Sequence, residues 1–228
     1  MAASDVKLLG MWCCPYVNRA QLAMCIKSID YEFIEENTLQ KSEMLLKYNP
    51  VHKKIPVLIH GDKSVCESCI IVEYIGDAFA AGPSILPSDA YDRALARFWA
   101  AYIDDKWYPL VKVIRQSDDK EGRAALIEKL SEGLILLEEA FISCSKGKAY
   151  FGGDSIGYLD IILGSCLGWL RVTEKVVEVE LLDRTKAPEL VRWAERLCSD
   201  DKVKAIFPDT QRLMELHEKI VAYLKSAK

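Results

Sequence analysis

Ile55-Pro56-Val57-Leu58-Ile59-His60-Gly61-Asp62-Lys63-Ser64-Val65-Cys66 is the stretch on which the fold turns. Residues 55–59 and 63–65 read as strands, and Gly61-Asp62 between them suits a tight hairpin turn. Residues 70–79, just downstream, carry apolar side chains at helical spacing. Working upstream, 41–48 reads as a short helical turn and 31–35 alternates as a strand. Residues 18–27 place Leu22 and Ile26, with Ala23 and Cys25 beside them, at helical spacing, and 6–10 is a short apolar strand. The order is βαβαββα. The βαβ unit builds a parallel pair and the hairpin adds an antiparallel edge. In such open sheets ligands bind beyond the carboxyl ends of the parallel strands. Pro56 cannot donate to a ladder, so it belongs at a strand start. A cis Ile55–Pro56 bond would free the backbone of Ile55 to pair with an extended ligand, but most X–Pro bonds are trans and the pattern leaves this open.

Downstream the rhythm changes. Residues 80–88 read Ala80-Ala81-Gly82-Pro83-Ser84-Ile85-Leu86-Pro87-Ser88, a linker rich in turn chemistry. Beyond it, 91–115, 123–143, 156–171, 188–198 and 210–224 all repeat apolar residues every three or four positions. The expected division is residues 1–79 as an α/β unit, 80–89 as linker and 90–228 as an all-α unit. The chain of 228 residues is half hydrophobic with a net charge of −4. That balance gives no footprint for nucleic acid or an anionic membrane. No apolar run reaches the ~20 residues of a membrane span. Met1-Ala2-Ala3-Ser4-Asp5 lacks the basic and apolar regions of a signal peptide, so the cytosol is the expected compartment. The eight cysteines should then be largely reduced. Cys66 and Cys69 form the single CxxC spacing, and packing accounts for it. His52, His60 and His217 are scattered, so no metal is expected.

A thiol-bearing segment follows the first strand: Trp12-Cys13-Cys14-Pro15-Tyr16. Pro15 suits the first helical position, which puts Cys14 at the cap. There it faces unpaired backbone N–H groups and the positive end of the helix dipole, both of which favour a thiolate. The alternative is a small buried hydrophobe.

These residues together resemble the thioredoxin-like domain of glutathione transferases, and in detail the plant tau class. The resemblance rests on Trp12-Cys13-Cys14-Pro15-Tyr16, Tyr31-Glu32-Phe33-Ile34-Glu35-Glu36, Lys41-Ser42-Glu43-Met44-Leu45-Leu46 and Tyr48-Asn49-Pro50-Val51-His52-Lys53-Lys54-Ile55-Pro56-Val57-Leu58. It continues through Glu67-Ser68 and Ile70-Ile71-Val72-Glu73-Tyr74-Ile75. In the second half it rests on Arg97-Phe98-Trp99-Ala100, Phe151-Gly152-Gly153-Asp154 and Gly157-Tyr158-Leu159-Asp160. It implies the glutathione transferase fold, a thioredoxin-like βαβαββα domain followed by an all-helical domain. It also implies glutathione as co-substrate and a homodimer.

Carried onto this chain, the resemblance makes Ser68 the cap of the following helix and the group that binds the γ-glutamyl carboxylate. Glu67 would meet the γ-glutamyl ammonium, the backbone of Ile55 the cysteinyl unit, and Lys41 and Lys54 the glycyl carboxylate. A plain cap would also account for Glu67 and Ser68, and solvated charge for the lysines. Asn49 is expected to shape the turn before Pro50, and Asp160 to serve folding rather than catalysis. Met11, Trp12, Tyr16, Tyr108, Lys112 and Trp169 are candidates for an apolar second-substrate pocket, though each could equally be core.

The tau pattern places serine where this chain has Cys14. A thiol is a weaker donor than a hydroxyl. It can, however, form a mixed disulfide with glutathione, as the Cys-Pro motifs of omega-type transferases and glutaredoxins do. Val17 occupies the resolving position, so any such cycle is monothiol. Three activities are therefore open. They are conjugation of glutathione to hydrophobic electrophiles, thiol transfer from glutathionylated substrates through Cys14, and ligandin-like carriage of apolar molecules without turnover.

Overall fold

The computed structural model describes residues 5–37, 39–80, 82–117 and 119–226. Met1–Ser4 of the amino-terminal segment and Ala81 of the linker, both read above, lie outside them. The first half opens with β1 (Val6–Gly10), α1 (Pro15–Ile26), β2 (Glu32–Glu35) and α2 (Glu43–Tyr48). It closes with β3 (Val57–His60), β4 (Lys63–Cys66) and α3 (Ser68–Ala78). The sheet runs β2-β1-β3-β4. β1 pairs with β2 in parallel, and β3 is antiparallel to both β1 and β4. Consequently β1, β2 and β4 end, and β3 begins, at one edge of the sheet.

β1 is central and covered on both faces. Leu8 joins the large core that includes Val17 of α1 and Ile71 of α3, while Leu9 packs with Leu45 of α2. Gly10 lets α1 close down on the strand, since a Cβ there would lie 2.5 Å from Val17 Cγ1. The third strand begins two residues later than the pattern predicts, because Pro56 itself does not join the ladder.

The second half is helical apart from an isolated bridge between Tyr150 and Gly153. Its elements are α4 (Ala90–Tyr102), a π-helical turn (Ile103–Trp107), α5 (Tyr108–Gln116), α6 (Lys120–Ser145), α7 (Tyr158–Gly164) and α8 (Leu167–Val177). They continue through α9 (Pro188–Ser199), α10 (Asp201–Ile206) and α11 (Thr210–Ser226). Two expected helices are broken. The 91–115 segment widens before Pro109, whose ring and missing N–H disrupt the i→i−4 pattern. The 156–171 segment divides near Ser165, whose Oγ donates to the Ile162 carbonyl at 2.8 Å. α10, started by the Asp200 side chain, has no counterpart in the sequence pattern. Among the described residues no helix is long and apolar enough to cross a membrane.

Asp160 is fully buried and ties the helical half together. Its carboxylate accepts from the backbone N–H groups of Phe151, Gly152 and Gly157, each at 2.9 Å, and from Trp193 Nε1 at 2.7 Å. Gly157 has no side chain to return the bond, so only the acidic half of a capping box exists. Burial outweighs these donors and pushes the carboxyl up to about 6.

Candidate functional site

The site builds on the sheet edge where β1, β2 and β4 end. After β1 the chain turns at residues 11–14, with Cys14 N–H donating to the Met11 carbonyl at 3.0 Å. The turn is held to β2 by Trp12 N–H, which donates to Glu35 Oε1 at 3.3 Å. Cys14 is the N-cap of α1 and Pro15 its first residue, but the thiol makes no cap bond. Its sulfur faces the N–H groups of Val17 and Tyr16 and the charge of Arg19, all of which favour the thiolate. Burial outweighs them and pushes the thiol up. The helix start does favour the thiolate, as the sequence leads one to expect, but desolvation opposes it with the larger effect. Cys13 turns into the core, where burial raises it to about 11.

The β3 side of the edge is shaped by Asn49. Its Nδ2 donates to the Lys54 carbonyl at 2.9 Å and its Oδ1 accepts from His52 N–H at 3.0 Å. Asn49 thus holds the turn that delivers Ile55, and the Ile55–Pro56 bond is cis. Lys41 and Lys54 are exposed on the loops flanking this turn, and neither forms an ion pair with a described residue.

At the end of β4 the structure changes one expected role. The N-cap of α3 is Glu67, at φ 70°, and Ser68 is the first residue inside the helix. Ser68 therefore does not cap. It is buried, and its Oγ accepts from Arg19 Nη1 at 3.1 Å. Glu67 keeps its carboxylate in solvent, 3.8 Å from His52 Nε2.

Arg19 links these pieces, and the sequence gives no sign of it. The residue is fully buried in α1. Its Nη1 and Nη2 donate to Asp104 Oδ2 and Oδ1 at 2.8 and 2.7 Å, a bidentate pair. Nε reaches Ser165 Oγ at 3.0 Å and Nη2 the Ile162 carbonyl at 3.3 Å. Asp104 lies in the π-helical turn and Ser165 at the end of α7, so one guanidinium ties α1 and α3 to the helical half. Cys69 Sγ donates to Asp104 Oδ2 at 3.4 Å, whereas Cys66 Sγ donates to the Tyr48 carbonyl, so the CxxC pair serves two separate packing sites.

Five of the six second-substrate candidates gather beside Cys14. The Tyr16 and Tyr108 rings meet edge to face at 6.1 Å, and burial pushes the Tyr16 hydroxyl up to about 12. Trp169 Nε1 donates to the Cys13 carbonyl at 2.8 Å, and Trp12 and Met11 are half-buried in the adjoining turn. Lys112 is the exception: it is exposed on α5, with no bond or ring contact to the others. Two residues outside that set reach the indoles instead. Arg115 of α5 lies 4.3 Å from the Trp169 ring centroid, and Arg212 of α11 lies 3.8 Å from that of Trp12.

Comparison with known proteins places this architecture in a family. Residues 4–77 match the glutathione S-transferase N-terminal domain and residues 98–201 the C-terminal domain. Glutathione S-transferase U17 of Arabidopsis thaliana is 56% identical over 221 residues, 96% of this chain and 97% of that protein. The tau-class glutathione S-transferase from mango, Mangifera indica, superposes with a TM-score of 0.90 at 55% identity, covering 94% of this chain and 97% of the other. Rice GST1, solved in complex with glutathione, gives a TM-score of 0.86 at 33% identity over 98% of this chain and 99% of its own. The chain belongs to the glutathione S-transferase family, within its plant tau class.

Proposed function

We propose that this protein conjugates glutathione to hydrophobic electrophiles, with Cys14 turned toward the glutathione sulfur. The observation that carries this reading is Arg19. Projecting from α1, the helix that Cys14 starts, it donates to Ser68 Oγ at the start of α3. Because a lone pair of Oγ is taken by that bond, the Ser68 hydroxyl proton is left to donate elsewhere. A γ-glutamyl carboxylate at the α3 N-terminus would accept it, alongside the first backbone N–H groups of the helix. Glu67 offers its carboxylate to the γ-glutamyl ammonium, the Ile55 backbone pairs with the cysteinyl unit, and Lys41 and Lys54 attract the glycyl carboxylate.

In the reaction the glutathione thiol gives its proton to solvent, and the thiolate attacks the electrophilic carbon. A C–S bond forms and, with an aryl chloride, the C–Cl bond breaks and chloride leaves. A Cys14 thiol can donate a weak hydrogen bond to that thiolate, whereas an ionised Cys14 would repel it. The raised pKa of Cys14 therefore supports conjugation over a nucleophilic Cys14. Names of the relatives point the same way, and neither thiol transfer nor ligandin-like carriage is favoured.

The test is a paired assay on wild type and Cys14→Ser. Wild type should conjugate a chlorodinitrobenzene, Cys14→Ser should do so faster, and glutathione disulfide should add no more than one glutathione, at Cys14, by intact mass. Loss of conjugation with retained thiol transfer would falsify this reading. We further propose the domain limits 1–79, 80–89 and 90–228, catalysis without a metal, a cytoplasmic location and a homodimer. Light scattering should then return twice the 25.7 kDa chain mass.

A further inference from the structure

Arg115 is half-buried, and burial lowers its pKa. Its guanidinium is stacked on Trp169 and touches one side-chain acceptor, Thr173 Oγ1, at a long 3.3 Å. No described carboxylate pairs with it. A cation drawn from water without a counter-charge is costly, and proteins retain such groups where an anion comes to meet them. Arg115 is not alone. Arg212, also without an ion pair among the described residues, stacks on Trp12, and His217 of α11 lies close enough to feel the Arg115 charge. Tyr16 meets the buried Tyr108 edge to face, and Tyr108 lies under the influence of Arg115. The wall beside Cys14 is thus aromatic and cationic, in a chain whose net charge is −4.

We infer that the second substrate is a planar aromatic electrophile bearing an anionic group, a carboxylate or sulfonate, with the ring against Trp169 and Trp12 and the anion on Arg115. The inference rests on the conjugation reading for its chemistry but not for its binding. Guanidinium meets carboxylate with two parallel N–H donors, and its stacking on an indole leaves those edge donors available. Arg212, exposed on α11 over Trp12, adds a second, more solvated charge, so it contributes less.

The experiment compares 4-chloro-3,5-dinitrobenzoate with its methyl ester, each rate divided by the uncatalysed reaction with glutathione. In parallel, tryptophan quenching by unreactive 3,5-dinitrobenzoate and its methyl ester reports binding without turnover. Wild type should prefer the carboxylate in both. Arg115→Leu should lower that preference about tenfold, the scale of one charge-assisted contact, and Arg115→Lys should keep part of it. The preference should also fade with added salt. An equal preference in wild type and Arg115→Leu overturns the inference. If both probes bind with the expected discrimination yet neither electrophile turns over, the anion site stands and the conjugation reading fails.

Discussion

Arg19 and Arg115 are both guanidinium groups drawn out of water, and the molecule treats them in opposite ways. Arg19 meets Asp104 bidentately and fills its remaining donors with Ser68, Ser165 and the Ile162 carbonyl. Arg115 has an indole, one threonine and no carboxylate among the described residues. A buried cation with every donor assigned holds a structure together. One whose donors are left over is set out for a ligand.

The sharpest way to break this contrast is Asp104→Ala. It leaves Arg19 buried without its counter-charge, which should cost about 3–5 kcal/mol in urea unfolding, while the joint change to Arg19→Met and Asp104→Leu should recover much of it. A loss near zero would place Arg19 and Arg115 in the same category. Next comes Ser68→Ala, which removes the hydroxyl that Arg19 orients. The KM for glutathione should rise about tenfold with kcat little changed, since one hydrogen bond to a charged group is lost from ground and transition states alike. Titration of Cys14 follows. Its alkylation rate by iodoacetamide, followed by peptide mass, should give an apparent pKa above the ordinary 9.0. A midpoint below that value would mean that the helix start outweighs burial. The smallest effect is expected from Arg115→Met, which should change unfolding free energy by no more than about 1 kcal/mol, because no ion pair among the described residues is broken.

The order of elements was legible because the periodicity of apolar residues changes from two to nearly four at each strand–helix boundary. The hairpin at Gly61-Asp62 and the helix start at Pro15 were marked by local chemistry. Arg19 was not legible, because its partners lie 85 and 146 residues away and no local pattern announces them. The cap of α3 lies one position before the expected Ser68. Glu67 takes the cap through a positive φ, which side-chain preference does not foretell. For Cys14 the sequence supplied the residue and the helix dipole but not the depth of burial, and burial decides the sign of its shift. Pro109 did signal the break before α5, but helical spacing on both sides masks it.

The π-helical turn at Ile103–Trp107 carries a further consequence. It amounts to one residue inserted into an otherwise continuous helix, and each helical residue advances the side chains by about 100°. Asp104 sits within the insertion, and Tyr108, Val111 and Arg115 take their facing from it. Deleting one residue there would turn Tyr108, Val111 and Arg115 together relative to α4 while leaving their identities unchanged. The facing of α5 can therefore shift through the length of the chain as well as through its lettering.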